Sequence, residues 1–186
     1  MVATRFPALA REEMDDAQKA MFDRIAASPR GGVRGPYPAL MRHPELAKVQ
    51  EIYGHHVRYN NTLPERLKEL AIIVTARHWS AQYEWYAHRS LAEKQGVSPA
   101  VCDAIAHGER PEGLDDAAQA IFDFTSILLK TREIDDATFS AVHDRFGDKG
   151  VLDLIALIGN YTTVALILNV DRHPIPPEAT PLPELG

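Results

Sequence analysis

Glu69, Glu84 and His88, with Arg66 just ahead of them, are set into an otherwise core-like run from Leu63 to Gly96, LPERLKELAIIVTARHWSAQYEWYAHRSLAEKQG. Arg66, Glu69 and Ile73 follow one another at spacings of three and four, as do Ala81, Glu84 and His88. If both halves of the run are helical, each set lies along one helix face, and two antiparallel helices bring Glu69 against His88. A carboxylate that accepts from one imidazole nitrogen orients the ring and leaves the other nitrogen free. That is the usual way to turn a histidine into a working acid or base near neutral pH. The competing reading is a hydrogen-bonded histidine without chemistry. Glu84 and His88, four apart, would also allow a shared metal with His78 as third ligand, but so sparse a set does not make a metal site and none is assigned.

The run itself reads as a helical hairpin. Pro64 suits a first turn, Glu65 to Leu70 are good helix formers, and Ala71-Ile72-Ile73-Val74 continues the pattern without a turn signal, so length decides for helix over strand. Ser80 is the expected N-cap of the second helix and Gly96 its stop. Elsewhere Met14-Asp15-Asp16-Ala17, Leu114-Asp115-Asp116-Ala117 and Ile134-Asp135-Asp136-Ala137 each read as a capped helix start. Ala17, Ala20, Phe22 and Asp23 recur as Ala117, Ala120, Phe122 and Asp123, which is either a trace of duplication or convergence of acid-capped amphipathic helices. Ser28 to Pro38 is a loop, Pro44 opens a helix ended by Asn60 and Asn61, and Ser98-Pro99 starts one that Gly108 stops. Gly147 separates the third acid-capped helix from a last one, Asp148 to about Val170, that is apolar nearly all round and so lies inside a bundle or against another subunit. The proline-rich stretch from about Asp171 is an extended tail. No segment reads as a strand, so residues 1–186 are expected to form a single all-α domain of about eight helices.

A net charge of −6 with scattered basic residues argues against a nucleic-acid surface. No apolar stretch of membrane-spanning length is free of polar breaks, and Met1 to Ala10 lacks a signal-peptide layout, so no membrane role is expected and the cytoplasm is the default location. Cys102, the one cysteine, permits no intrachain disulfide or dithiol couple and reads as a buried small hydrophobe. Trp79, Tyr83, Trp85 and Tyr86 either wall a pocket for a flat ring or serve packing and oligomer contacts. Tyr37 is either a lid or a simple turn residue, and His55-His56 is an exposed-looking pair.

GPYPALMRHPELA, LPERLKELAIIVTARHW, QYEWYAHRSLAEKQGVSP and GVLDLIALIGNYTTVALILNV resemble, in order and spacing, segments of the carboxymuconolactone decarboxylase family, whose fold is shared with alkylhydroperoxidase D-like (AhpD-like) proteins. The resemblance implies an all-α subunit assembling into trimers or hexamers, with its site at the hairpin. In the redox branch a CxxC precedes the histidine. Here Ala81 and Glu84 stand at the cysteine positions while Glu69 and His88 match the proton-handling pair, so thiol peroxidase activity is not expected. The decarboxylase-type branch implies loss of CO₂ from a carboxylated unsaturated lactone of aromatic-acid breakdown, without a metal or organic cofactor. On that reading His88 is the proton donor, Glu69 its orienting partner, Arg66 or Arg58 the clamp for a small carboxylate, and Glu84 and Trp85 further substrate-binding residues. The alternative is a non-catalytic helical homo-oligomer that binds a small acid or a protein partner.

Overall fold

Every residue from Leu67 to Arg77 is buried, and a helix enclosed on all sides has to be the axis on which the others pack. The computed structural model describes residues 3–29 and 31–185, and its axis is α4 (Glu65–His78). The other helices are α1 (Asp16–Ala26), α2 (Tyr37–Leu40), α3 (Pro44–Tyr59), α5 (Gln82–Lys94), α6 (Pro99–Ala106), α7 (Asp116–Thr131) and α8 (Asp136–Asp171). No strand occurs among the described residues, in agreement with the all-α, eight-helix expectation. α4 packs chiefly on α5, α7 and α8, joining Leu67, Leu70, Ile73, Phe124, Leu154 and Leu157 in one core. A smaller cluster of Met21, Ile25, Tyr37, Leu40 and Met41 ties α1 and α2 to α3.

The helix starts follow their caps. Asp15, Asp115 and Asp135 accept from the backbone N–H of Gln18, Ala118 and Thr138, and Ser98 accepts from that of Val101. The recurrence between α1 and α7 extends to contacts: Arg11 pairs with Asp23 and covers the Phe22 ring, while Arg110 pairs with Asp123 and covers Phe122. Ser80 departs from expectation. It does not cap α5, which starts at Gln82 after Ala81 without a side-chain cap. With φ +49° it closes α4 instead, its N–H on the Arg77 carbonyl and the next N–H, of Ala81, on the Ala76 carbonyl. This is a Schellman end, and it turns the chain too tightly to leave a serine cap before α5.

Gly147 (φ 64°, ψ −175°) breaks α8 where the sequence places its separator. The apolar part of α8 is long enough and, with a mean hydropathy of 1.9, apolar enough to cross a membrane, but half of that window is buried in the bundle. Its polar breaks bond internally: Asp153 accepts from the N–H and hydroxyl of Thr62, and Asn160 accepts from Gln50. The tail is docked. Leu182 is buried, its N–H and carbonyl both engage the Gln82 amide, and Arg77 donates to the Pro183 carbonyl. At the other terminus the Thr4 hydroxyl and Phe6 N–H donate to Asp171.

Candidate active site

The antiparallel α4–α5 hairpin brings Glu69 and His88 together, with His88 Nδ1 2.8 Å from Glu69 Oε2. A carboxylate can only accept, so Nδ1 carries the proton and Nε2 is the ring nitrogen left for a ligand. Tyr161 of α8 fixes the ring from the side, edge-on at 4.9 Å between centroids. The other Glu69 oxygen, Oε1, is in contact with Arg58 Nη1, contributed by the last turn of α3. Burial works against the Glu69 charge, but the bond from His88, the His88 charge and Arg58 outweigh it and hold the carboxyl below its ordinary value. Burial likewise opposes the Arg58 charge, and Tyr161 and Glu69 more than offset it, leaving the guanidinium above its ordinary value. The result is an ordered array, Arg58–Glu69–His88, in which the central carboxylate is fully buried.

The array borders a cavity of about 1170 Å³ lined by Arg58, Glu84, Trp85, His88, Tyr161 and, from the tail, Ala179 to Pro181 and Pro183. Tyr83 and Tyr86 also line it. Glu84 lies in the first turn of α5, where a helix N-terminus favours a carboxylate. Here burial wins: both carboxyl oxygens are enclosed without a hydrogen-bond partner among the described residues, and the group is pushed well above its ordinary value.

Of the two arginines weighed as a clamp, the structure brings only Arg58 to the array. Arg66 lies outside it: its guanidinium pairs with Asp115, the cap of α7, at 2.5 Å. The shared face with Glu69 does not hold it there, because Arg66 sits one turn nearer the hairpin's end, where a long side chain reaches the bundle surface. Trp85 is buried and so cannot make an oligomer contact, and Trp79 bonds Thr162 rather than lining the cavity. Tyr37 lines the cavity as a buried anchor of the smaller core, which is not a lid's position. His78 is exposed at the end of α4, and among the described residues no three His, Cys, Asp or Glu side chains converge on a metal position. His56 is exposed, and His55 rests on the Tyr59 ring. Cys102 is buried in the main core, and burial pushes its thiol up to about 11. The sequence reading did not single out Tyr161 or Asn160. The signal was there, since both interrupt an otherwise apolar helix.

Residues 44–126 match the model of the carboxymuconolactone decarboxylase family. No curated protein matches the chain in sequence. Several solved structures share the fold at low identity. An uncharacterized peroxidase-related protein from Ralstonia eutropha with an alkylhydroperoxidase AhpD core has a TM-score of 0.77 at 17% identity, over 96% of this chain and 95% of its own. The debrominase Bmp8, in complex with 2,3,4-tribromopyrrole, has a TM-score of 0.72 at 14% identity, over 95% of this chain and 94% of its own. A protein of unknown function from Agrobacterium tumefaciens, suggested to be the antioxidant-defence protein AhpD, has a TM-score of 0.68 at 16% identity, over 78% of this chain and 100% of its own.

Proposed function

We propose that this chain, which belongs through residues 44–126 to the carboxymuconolactone decarboxylase family, is a cofactor-free carboxy-lyase acting on a carboxylated unsaturated lactone or a related small acid of aromatic-compound breakdown. The observation that carries the reading is the Arg58–Glu69–His88 array at the wall of the cavity. The N–H groups of Arg58 not spent on Glu69 hold the substrate carboxylate. The bond from ring carbon to carboxylate breaks, CO₂ leaves, and the electron pair passes into the conjugated lactone carbonyl. His88, steadied by Glu69, is the group that then delivers a proton to carbon through Nε2, giving the enol-lactone. Orientation and charge placement are what the protein must supply, since the substrate's own carbonyl is the electron sink.

Thiol chemistry of the kind suggested by the peroxidase-related fold neighbour has little to work with, because Cys102 is buried and its raised thiol is a poor source of thiolate. The test is CO₂ release from a carboxymuconolactone. Removing a proton donor costs roughly 10²- to 10⁴-fold, so His88→Ala should lose about that much while Cys102→Ser keeps most activity. A fully active His88→Ala variant would assign the chemistry to other residues.

A further inference from the structure

The scheme above leaves Glu84 without a task, although it is a buried ionisable group on the cavity wall. Neither of its oxygens has a hydrogen-bond partner among the described residues. The ionisable groups that share the cavity from the surrounding elements include Arg34 and Tyr37 from the loop and short helix ahead of α3, Arg58 and Tyr59 on α3, Glu69 behind His88 on α4 and α5, Asp103 on α6 with His107 at its end, and Tyr161 on α8. None of them is hydrogen-bonded to Glu84, and burial alone drives its shift. A carboxylate enclosed in this way carries an uncompensated charge, so the group keeps its proton and presents one O–H donor.

We infer that Glu84 is the cavity's hydrogen-bond donor to the carbonyl oxygen of the bound lactone and to the enolate oxygen that this becomes as CO₂ leaves. The inference rests on the cavity being the lactone site proposed above. A neutral donor suits this oxygen better than the departing carboxylate, because a bond from O–H strengthens as its acceptor gains charge during the reaction. Placement agrees. Glu84 and His88 are four residues apart on α5, about 6 Å along the axis, so the hydrogen-bond donor and the proton source stand one turn apart on one wall of the cavity. Both Glu84 oxygens are shielded in this arrangement, so the bound ring meets the O–H once the Glu84 side chain turns toward it, with the ring's carbonyl on the Glu84 side and the carbon awaiting a proton on the His88 side.

Tetronic acid, a lactone that exists as its enolate at neutral pH, is the probe. Its binding to the full chain is measured by calorimetry, and infrared difference spectra are recorded at pH 7 with and without it. We expect wild type to show the carbonyl stretch of a protonated carboxyl that shifts on tetronate binding and is missing from Glu84→Gln. Glu84→Gln, which keeps an N–H donor in place, should bind within roughly fivefold of wild type, and Glu84→Leu should lose about tenfold or more. A Glu84→Leu variant that binds as tightly as wild type, or a spectrum without the protonated carboxyl, overturns this inference and leaves the lactone site standing. Wild type that binds no tetronate overturns the lactone reading of the cavity and this inference with it.

Discussion

Two carboxyls in one site oppose each other in how they set stability against pH. Burial holds the folded Glu84 carboxyl well above its ordinary value, so between about 4.5, where the unfolded chain releases the proton, and the folded value the proton stays on only in the folded state. Over that interval the unfolded state binds fewer protons, so stability falls with rising pH, by up to about 1.4 kcal/mol per pH unit. Glu84→Gln should therefore melt close to wild type at pH 4 and progressively above it toward pH 8. Thermal denaturation across that range checks the sign, and a constant difference would count against a protonated Glu84. Glu69 acts the other way. Its lowered value gives stability that is present above the ordinary carboxylate range and lost as pH falls through the folded value. At this scale the Glu69–His88 contact was legible because it follows from helical spacing alone. The choice of Arg58 over Arg66 was not, since Arg58 arrives from a helix whose position no local rule gives. Nor was the burial of Glu84, because a glutamate in a first helical turn looks like an exposed cap.

At the scale of elements the helix starts were the most readable features, because an aspartate or serine that can accept from the third helical N–H acts within four residues. The end of α4 was misjudged for the converse reason. Ser80 has the chemistry of a cap, but the Schellman turn that places it is fixed by how closely α5 folds back on α4. Gly147 gives a clean test of the break in α8. Its φ of 64° with ψ of −175° belongs to a region that side-chain-bearing residues avoid, while a Cβ there would meet nothing within 4 Å. Gly147→Ala should thus lose about 1–3 kcal/mol through the backbone alone, read as a lower urea midpoint with an unchanged slope. An undisturbed midpoint would mean that the two halves of α8 can straighten without loss.

For the molecule as a whole, the face shared by α3 and α8 is unusually apolar for a surface. Val49, Ile52, Leu152, Ile155 and Val170 are 44–65% exposed, and the two helices are joined by the Tyr53 hydroxyl, which donates to the Ala156 carbonyl. The sequence marked α8 as apolar on most sides, but that Leu46, Val49 and Ile52 of α3 would face outward beside it needed the three-dimensional arrangement. We propose that further copies of the chain cover this face. Light scattering at micromolar concentration should give a multiple of the subunit mass, and Val49→Asp with Leu152→Asp should reduce it; a wild-type monomer would refute the proposal. The tail belongs to the same scale. Proline content made its extended form legible, whereas its docking depends on Leu182 and Pro183 meeting Gln82 and Arg77, which lie far from the tail in sequence. Arg58, Glu69, Glu84, His88 and Tyr161 all stand on helices of the bundle, while one wall of the cavity is cut from the tail segment around Ala179 to Pro183. The chemistry and the fit are thus inscribed in separate stretches of the chain. Variation in a few terminal residues can re-tailor which molecules are admitted while the reactive apparatus beneath stays as it is.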